Sequence, residues 1–489
     1  MSLALGFDND KYIRVQSDHI RQRIAKFGNK LYMEFGGKLF DDMHASRVLP
    51  GFRPDSKLAM LTQLRDTLEI VIVISAFDIE KNKVRQDLGI TYDEDVLRLR
   101  DEFMTRGFMV SSVVITHYSG QRSADAYRKR LERQGIKVYY HYIIEGYPHN
   151  VELIASEDGF GRNDYVETTR PLVVITAPGP GSGKMAVCLS QLYNEHTRGR
   201  VAGYAKFETF PVWNLPLRHP VNVAYEAATA DLNDINMIDP FHLEAYNQTS
   251  VNYNRDIEIF PVLDAIFTSL YGENPYKSPT DMGVNQVGFC ISDDAVCQEA
   301  SKQEIIRRYF TALNRMANGD CNDSEVQKLA LLQKQVGINT AYRRTTVAAR
   351  ERKEQSLGNA AAAIELHDGT IITAEASPLL GSSAALLLNV IKHLAGIEHD
   401  ARLIPDEMIE PVQHTKIAYL HGHNPRLHTD EVLIALSVLS LHDERCKRAL
   451  ATLPELAGCQ MHSTVMLSEV DTKTFKKLRV DLTCDPSKS

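Results

Sequence analysis

The chain has 489 residues, a length that predicts two or three domains rather than a single core. Its 44% hydrophobic and 24% charged residues are typical of globular proteins, and a formal net charge of −8 argues against nucleic-acid or anionic-membrane partners. Seven scattered cysteines without a Cys-x-x-Cys pair, no signal-peptide pattern and no membrane-length apolar run predict a cytoplasmic protein without disulfides.

Residues 1–219 alternate strand patterns with helix patterns. Helices are predicted at 16–27, 56–68, 93–106, 123–134 and from Lys184 to about His196. Strands are predicted at 30–35, 70–75, 110–116, 137–144, 172–175 and 201–207. Several of these strands are apolar throughout, which is typical of strands covered on both faces. The pattern predicts an α/β domain, 1–219, with a mainly parallel, Rossmann-like sheet.

The rest of the chain divides into two further predicted domains. Helical patterns dominate 220–358, and the charged stretch 343–358 is predicted to be a solvated connecting helix. A hairpin with an Asp368-Gly369 turn follows, and then come helices and short strands. This predicts a separate C-terminal α+β domain over 359–489.

The most informative stretch is Thr176-Ala-Pro-Gly-Pro-Gly-Ser-Gly-Lys184, between a strand and a helix. Such a loop lets backbone N–H groups approach a phosphate while a lysine reaches its terminal oxygens. The predicted cradle is Gly179, Gly181, Ser182, Gly183 and Lys184. Two residues depart from the G-x-x-x-x-G-K-[ST] pattern. Pro178 stands where the pattern has its first glycine, and Met185 replaces the Ser or Thr whose hydroxyl binds Mg²⁺. An anion site is favoured over a plain turn, and whether the anion belongs to ATP stays open.

Other candidate residues follow the carboxyl ends of the predicted strands, where parallel sheets bind ligands. We expect Gly37, Lys38 and Thr116 to help hold the ligand, and Asp78 or Glu208 to hold Mg²⁺ if the ligand is a nucleotide. Two structural alternatives remain. Asp78 can cap the next helix, and Glu208 can belong with Lys206 to an alternating strand face.

Two further polar clusters are interpreted as structural. The acidic, asparagine-rich stretches at 231–239 and 252–256 can bind a metal or a polyhydroxylated substrate, but helix caps and turns are favoured. His421, His423, Arg426 and His428 can bind a metal or a phosphate, but a polar turn that caps the next helix is favoured. Whether this cluster joins the active site stays open. No protease signature is present in the sequence.

Five motifs together resemble one bacterial family, that of domain of unknown function 1846. They are Glu34-Phe-Gly-Gly-Lys38, Asp78-Ile-Glu-Lys81, Thr176 to Lys184, Tyr204-Ala-Lys-Phe-Glu208 and Asp281-Met-Gly283. The resemblance implies a cytosolic homo-oligomer with a sheet domain, a helical part and a separate C-terminal domain. It implies no established activity. Some members carry the label ATP-dependent peptidase, which the missing peptidase signatures do not support here.

Three functions follow as hypotheses. The first is an enzyme that uses an NTP with Mg²⁺, such as a phosphotransferase, ligase or NTPase, with Lys184 and either Asp78 or Glu208 in catalytic roles. The second is an enzyme that acts on a phosphorylated or carboxylated metabolite without any cofactor. The third is a non-enzymatic oligomeric scaffold. The expected partners are a small phosphorylated ligand and further copies of the chain, with neither nucleic acid nor a membrane.

Overall fold

The computed structural model describes residues 4–36, 39–40, 42–85, 88–232 and 234–487. The chain forms two compact units. The first comprises Leu5–Glu226 and Asn233–Gln298, and the second consists chiefly of Glu299–Ser489 together with Ala227–Leu232. The predicted domain boundaries at residues 219 and 358 stay predictions. None of the described helices is long and apolar enough to cross a membrane.

A parallel sheet forms the centre of the first unit. The described strands of this part of the chain are β1 (Leu31–Phe35), β2 (Leu68–Ser75), β3 (Val84–Arg85), β4 (Ile90–Thr91), β5 (Met109–Tyr118), β6 (Lys137–Tyr142), β7 (Leu172–Thr176) and β8 (Gly203–Phe207). Six of them pair in the order β6-β5-β2-β7-β1-β8, and every pairing is parallel. The predicted α/β fold with a mainly parallel sheet is therefore confirmed.

Burial explains why the apolar sequence segments form the central strands of the sheet. Every residue of β2 and β7 is buried, and these two strands are neighbours in the middle of the sheet. Full burial of a Val, Ile or Leu side chain contributes about 1.5–3 kcal/mol, so a continuous apolar run is most stable when both of its faces are covered. The edge strand β6 instead begins with exposed Lys137 and mixes buried with half-buried positions.

Helices connect these strands. They are α1 (Asn9–Lys26), α2 (Met43–Val48), α3 (Ser56–Thr62), α4 (Ala76–Glu80), α5 (Tyr92–Thr105), α6 (Arg122–Arg133), α7 (Val151–Ile154) and α8 (Lys184–Thr197). Helix α1 begins well before the predicted start at residue 16. The reason is a capping residue, because the Asp8 side chain accepts a hydrogen bond from the Lys11 N–H at 2.9 Å.

The strand order creates a switch point between β2 and β7. From β2 the chain continues to β5 on one side of the sheet, whereas from β7 it continues through α8 towards β8 on the other side. Two neighbouring strands whose connections leave in opposite directions open a crevice at their carboxyl ends, which is where open α/β sheets bind ligands. The glycine loop follows β7, so it borders this crevice.

The first unit continues past the sheet with α9 (Pro220–Ala228), β9 (Asn236–Ile238), α10 (Pro240–Tyr246), β10 (Val251–Tyr253), α11 (Asn254–Tyr271) and α12 (Pro279–Met282). Strands β9 and β10 form an antiparallel ribbon. Asp239 caps α10 by accepting hydrogen bonds from two backbone N–H groups, and Asp234 is paired with Arg255 at 2.7 Å. The acidic stretch therefore contains a helix cap and an ion pair, in line with the structural interpretation.

The second unit contains the C-terminal domain. Its elements are the end of α13 (Asp294–Ala317), α14 (Asp323–Gln335), α15 (Arg344–Gln355), β11 (Ala361–Glu365), β12 (Ile371–Glu375), α16 (Ser382–Leu394), α17 (Asp406–His414), α18 (Thr429–Leu439), α19 (Glu444–Ala451), β13 (Gln460–Ser463), α20 (Glu469–Lys477) and β14 (Asp481–Cys484). The sheet order is β12-β11-β13-β14, with only the β13–β14 pair parallel. The separate C-terminal domain is confirmed.

Residues Arg344–Gln355 form the predicted helix, α15, and most of them are exposed or half-buried, but the segment 343–358 is not wholly solvated. Arg343 is fully buried and donates hydrogen bonds to the backbone carbonyls of Met461 and Asp481. Three further residues of the segment, Thr345, Thr346 and Ala349, are buried in the same unit. Charge composition alone does not reveal that the segment packs on the domain. Each exposed arginine pairs with an acid of the domain, as Arg350 does with Asp485 at 2.6 Å.

Candidate functional site

The glycine loop, residues 177–183, links β7 to α8. Gly181 has a φ of +72°, and Gly183, which is the N-cap residue of α8, has a φ of +83°. Glycine adopts this left-handed conformation without the steric cost that a Cβ atom imposes. The glycines at 181 and 183 are therefore required by the backbone path that leads the chain into the helix.

Hydroxyl groups hold the loop in shape. Thr116 Oγ1 donates a hydrogen bond to the Ser182 carbonyl at 2.6 Å, and Ser182 Oγ donates to the Gly179 carbonyl at 2.7 Å. A side chain at position 179 would collide with the Tyr92 hydroxyl. Thr116 and Ser182 were predicted to contact a ligand. In the structure both hydroxyls instead donate to backbone carbonyls of the loop. Backbone N–H groups are thus the donors that the loop presents.

The start of α8 is electrostatically unsatisfied. No side chain of the described residues caps its first turn, so the N–H groups there and the positive end of the helix dipole remain available. Lys184 is the first residue of α8 and is half-buried. It forms no ion pair with another residue in the part of the chain that the structure describes. A cation and a set of backbone donors therefore share the first turn of α8.

A histidine lies next to the loop at the carboxyl end of β5. His117 has a φ of +52°, its Nδ1 is hydrogen-bonded to Ser75 Oγ at 3.0 Å, and its ring stacks on Phe77 with centroids 5.6 Å apart. Burial lowers the pKa of His117, an effect that Asp78 partly offsets. The imidazole is therefore neutral at pH 7 and can donate or accept a proton at its second nitrogen.

Asp78 is connected to the loop through a lysine and a tyrosine. Its carboxylate lies 3.2 Å from Lys83 Nζ, and the same Nζ lies 4.7 Å from the centre of the Tyr92 ring, which packs against Gly179. The residue that caps α4 is Ser75, with Asp78 in the first turn of that helix. Asp78 is thus linked to the glycine loop only through Lys83 and Tyr92, and the ammonium group of Lys83 already neutralises it.

A second polar cluster lies at the carboxyl ends of β1 and β8. Lys206 Nζ is 2.9 Å from Glu208 Oε1, and it donates to both carboxylate oxygens of Asp256 at 2.7 and 2.6 Å. Glu34 accepts a hydrogen bond from Tyr204 Oη at 2.9 Å. We call Glu34, Lys206, Glu208 and Asp256 the Lys206 cluster.

The charges of the Lys206 cluster act on one another strongly. Burial alone would lower the pKa of Lys206, but Asp256, Glu208 and Glu34 raise it above its ordinary value. Burial raises the pKa of Glu208 to about 7, with Lys206 opposing this shift and Asp256 adding to it. Lys206 therefore stays charged, whereas Glu208 is poised to exchange a proton near neutral pH.

Glu34 extends the Lys206 cluster towards α8. Both Glu34 and Lys184 act electrostatically on the buried thiol of Cys188, one raising and the other lowering its pKa. A side chain at Gly36 would lie 3.2 Å from Glu208 Cγ, so the glycine that follows β1 gives Glu208 its space. Gly37 and Lys38, predicted to bind the ligand, lie outside the described residues.

Asp78 and Glu208 do not meet. They follow β2 and β8, which are three positions apart in the sheet, a separation of about 14 Å at the usual strand spacing. One Mg²⁺ ion cannot bind both carboxylates. Asp78 and Glu208 therefore remain alternative Mg²⁺ ligands, as the sequence analysis stated. Among the described residues, no group of three or more His, Cys, Asp or Glu side chains is arranged to hold a metal ion.

The histidine-rich stretch of the second unit forms a turn and a helix cap. His428 is the N-cap residue of α18, and its Nδ1 lies 2.9 Å from Asp471 Oδ2. Arg426 donates to the Ser377 carbonyl at 2.8 Å, while His421 and His423 are exposed. The favoured interpretation as a capping turn fits this geometry.

Sequence reasoning missed three residues that shape these clusters. Lys83 and Tyr92 contact Asp78 and the glycine loop but match no motif. Asp256 was noted only as part of a polar stretch, although it binds Lys206 from fifty positions away in the sequence. A lysine within a largely apolar strand, such as half-buried Lys206, is the signal that could have prompted a search for a distant acid, because charges withdrawn from water need partners.

Comparison with known proteins identifies the family. Residues 5–337 match the domain of unknown function DUF1846, N-terminal, and residues 341–488 match its C-terminal counterpart. The chain belongs to the DUF1846 family. The resemblance inferred from the five motifs is thereby confirmed, and the two matched segments together span nearly the whole chain.

Similar proteins of this family include members from the genera Corynebacterium and Streptococcus. A UPF0371 protein of Corynebacterium aurimucosum is 58% identical over 487 residues, which cover 99% of this chain and 98% of the relative. A UPF0371 protein of Corynebacterium glutamicum is 55% identical, again over 99% and 98% of the two chains. A UPF0371 protein of Streptococcus thermophilus is 52% identical over 98% and 97%.

Proposed function

We propose that this DUF1846-family protein is an enzyme whose glycine loop binds a phosphate-bearing ligand. The observation that carries the proposal is the start of α8, at the switch point of the sheet, where no described side chain caps the first turn and Lys184 forms no ion pair with any described residue. An anion there gains hydrogen bonds from free N–H groups and the favourable field of the helix dipole. Phosphate oxygens supply the acceptors that this arrangement lacks.

The surrounding groups suit chemistry by positioning and charge stabilisation. Lys184 starts α8, and Lys83 lies beside Asp78 and over the Tyr92 ring that packs against Gly179. A neutral His117, whose Nδ1 is hydrogen-bonded to Ser75 Oγ, is a candidate for proton transfer at its Nε2. Stabilisation of negative charge that develops on a phosphoryl group is the main task of enzymes that handle phosphate esters.

The local geometry favours a ligand that binds without Mg²⁺. Met185 offers no hydroxyl for the ion, and Asp78 is already neutralised by Lys83 at 3.2 Å. We therefore rank an enzyme of phosphorylated metabolites first. An NTP enzyme is the second candidate. It is supported by the link from Asp78 through Lys83 and Tyr92 to the loop, and it requires Mg²⁺ to displace Lys83 from this carboxylate.

We also propose that the protein is cytoplasmic and forms a homo-oligomer. The seven cysteines are free thiols, and six of them are buried, as expected of a protein kept in a reducing compartment. Family resemblance adds the expectation of a homo-oligomer. A non-enzymatic scaffold, in which the glycine loop is only a turn, is the alternative that the experiment below must exclude.

A thermal-shift panel tests the proposed function. The purified protein is melted with nucleotides, phosphorylated metabolites, carboxylated metabolites and inorganic phosphate, each with and without Mg²⁺. A ligand at 100 times its Kd stabilises the native state by about 2.7 kcal/mol, which visibly raises the melting temperature. Lys184→Ala should remove this shift, and Lys129→Ala, which changes an exposed lysine on α6, should keep it.

The panel separates the hypotheses. A shift with phosphorylated metabolites that ignores Mg²⁺ supports the first form of the proposal. A shift that requires both a particular base and Mg²⁺ supports the NTP enzyme. An unchanged melt across the panel, or an equal shift in Lys184→Ala, would contradict phosphate binding at the glycine loop and leave the scaffold.

A further inference from the structure

The helix that starts at the glycine loop packs on the face of the sheet that carries the Lys206 cluster. The hydroxyl of Tyr32, on β1, donates a hydrogen bond to Glu195 of α8 at 2.7 Å, so the Tyr32 side chain points to the face that α8 covers. Side chains two positions apart on a strand point to the same face, so Glu34 does so as well. Lys206 is paired with Glu34 across neighbouring parallel strands and shares its face.

Only one strand separates the loop from the Lys206 cluster. Strand β1 lies between β7, which leads into the glycine loop, and β8, which carries Lys206. Glu34 of β1 is in register with Ile175 of β7 on one side and with Lys206 on the other. Neighbouring strands lie about 4.8 Å apart, so β7 and β8 are separated by about 10 Å. A small molecule whose phosphate binds at the loop can therefore extend to the Lys206 cluster.

The thiol of Cys188 shows that charges from both places act on the same side of α8. Cys188 follows Lys184 by four residues, which puts the two side chains on one side of the helix. Burial raises the pKa of the Cys188 thiol, Glu34 raises it further, and Lys184 lowers it. The carboxylate of Glu34 is therefore within electrostatic reach of the side of α8 that carries Lys184.

The Lys206 cluster is partly open to solvent. The side chains of Glu208, Lys206 and Asp256 are 26%, 16% and 14% exposed. Their positions are nevertheless fixed, because each of them is paired with another member of the cluster. A ligand can therefore reach polar groups that are already held in place, as a specific binding site requires.

The polar groups of the Lys206 cluster suit hydroxyl groups. The carboxylates of Glu34, Glu208 and Asp256 accept hydrogen bonds, and the ammonium group of Lys206 donates them. A hydroxyl group both donates and accepts, so neighbouring hydroxyls can bind to a carboxylate and to the ammonium group at once. Lys206 already offsets the charge of Asp256, and burial raises the pKa of Glu208 to about 7. A neutral hydroxyl adds hydrogen bonds there without adding a charge.

Aromatic rings adjoin the same cluster. The rings of Phe210 and Tyr225 are stacked with centroids 5.1 Å apart, and Tyr253 lies 5.7 Å from Tyr225. Lys206 Nζ is 5.9 Å from the centre of the Tyr253 ring. Burial raises the pKa of half-buried Tyr225, and the charge of Glu208 adds to this effect. Aromatic rings beside a few fixed polar groups are typical of pockets for small molecules, and they suit the C–H groups of a sugar.

We propose that the ligand of the glycine loop is a sugar phosphate whose hydroxyl groups bind to the Lys206 cluster. This inference rests on the proposed phosphate binding at the loop, and it adds the class of ligand and a second point of attachment. The phosphate binds at Lys184 and the first turn of α8, and the sugar extends past the end of β1 towards Glu208. A carboxylated metabolite fits less well, because its negative charge would meet the carboxylates of the Lys206 cluster.

Hydrogen exchange of the full chain with paired ligands tests the inference. Inorganic phosphate is compared with ribose 5-phosphate, glucose 6-phosphate and fructose 6-phosphate. Inorganic phosphate should protect only the peptides that cover 177–187. At least one sugar phosphate should protect these peptides and also those that cover 203–208 and 254–258, because its hydroxyls bind there.

Calorimetry on single variants tests the two ends of the site separately. Asp256→Asn and Glu208→Gln should each weaken binding of the protective sugar phosphate about 10-fold or more, since each removes a charged hydrogen-bond acceptor. Both variants should bind inorganic phosphate as the wild type does, which also shows that they are folded. Lys184→Ala should weaken both ligands. The matched control is Glu258→Gln, which changes an exposed glutamate of α11 and should affect neither ligand.

The outcomes separate this inference from the proposed function. Phosphate protection at 177–187 without protection of 203–208 and 254–258 by any of the sugar phosphates would overturn the inference and leave the proposed function intact. Unchanged sugar phosphate affinity in both Asp256→Asn and Glu208→Gln would also overturn it. Absence of protection at 177–187 with every ligand would overturn the proposed function as well.

Discussion

Two lysines at the same edge of the parallel sheet have opposite surroundings. Lys206 is bound by Asp256 and Glu208, with Glu34 close by, so its charge is compensated within the protein. Lys184 begins a helix beside free N–H groups and forms no ion pair with any described residue. The difference shows which of the two positions gains most from an added anion. A phosphate would complete the surroundings of Lys184, whereas at Lys206 it would compete with carboxylates.

The largest expected effect is on stability at the compensated lysine. Lys206→Met leaves the carboxylates of Asp256 and Glu208 without their cation, at a place where the side chains of Asp256 and Glu208 are only 14% and 26% exposed. We expect a loss of about 3–5 kcal/mol in the free energy of unfolding, measured with urea at pH 7. Lys184→Met is the control and should lose far less when phosphate is absent. Equal losses in the free energy of unfolding would contradict the claim that Lys206 is charge-compensated within the protein and Lys184 is not.

The next effect concerns the pH dependence of stability. Because the pKa of Glu208 is raised to about 7, the folded protein retains a proton that the unfolded chain has already released above the ordinary glutamate pKa. The stabilisation from this proton is present at low pH and is lost as the pH rises through 7. The groups that face Glu208 are Lys206, Asp256, Glu34, Tyr225 and Tyr253.

Glu208→Gln removes this titration. Relative to the wild type, the variant should gain on the order of 2 kcal/mol between pH 5 and pH 8. Urea unfolding at several pH values measures the difference. Parallel pH profiles for the two proteins would show that Glu208 has an ordinary pKa and that the Lys206 cluster does not shift it.

The smallest effect distinguishes two glycines in the same conformation. Gly183→Ala and Gly199→Ala both place an alanine at positive φ, +83° and +68°, which costs about 1–2 kcal/mol. At position 183 the new methyl group would also lie 3.2 Å from Thr116, whereas position 199 has open space around it. We expect Gly183→Ala to be the less stable by about 1 kcal/mol.

Phosphate binding sharpens the glycine comparison. Gly183→Ala should also weaken any phosphate-dependent thermal shift, because it moves the support of the loop, and Gly199→Ala should not. Thermal melts of both variants with and without inorganic phosphate check this. If the two variants respond alike, the conformation of the loop does not matter for binding.

The sequence was sufficient for features that depend on neighbouring residues. The apolar run from Ile70 to Ser75 predicted a buried strand because only a covered strand tolerates such a run on both faces. The glycine loop was recognised because its glycines, lysine and following helix are contiguous. The parallel pairing of the strands followed from the alternation of strands and helices, whereas the strand order was not predicted.

Features that depend on distant residues could not be predicted. The Lys206–Asp256 pair joins β8 to α11, and no local pattern connects them. The position of Lys83 between Asp78 and the Tyr92 ring likewise depends on how α4 and α5 pack. Charge composition at 343–358 predicted exposure, but the domain supplied hydrogen-bond acceptors for buried Arg343. The surroundings of these side chains depend on which distant residues they pair with, and residue type alone does not reveal those partners.

The most direct test of the account is hydrogen exchange with inorganic phosphate, compared with sodium chloride of equal ionic strength. Amide protection should increase in peptides that cover 177–187, because phosphate occupies the N–H groups of the glycine loop and the first turn of α8. Peptides that cover β8 and the start of α11 should not change. Protection confined to those segments, or no protection anywhere, would contradict the assignment of the glycine loop as the phosphate site.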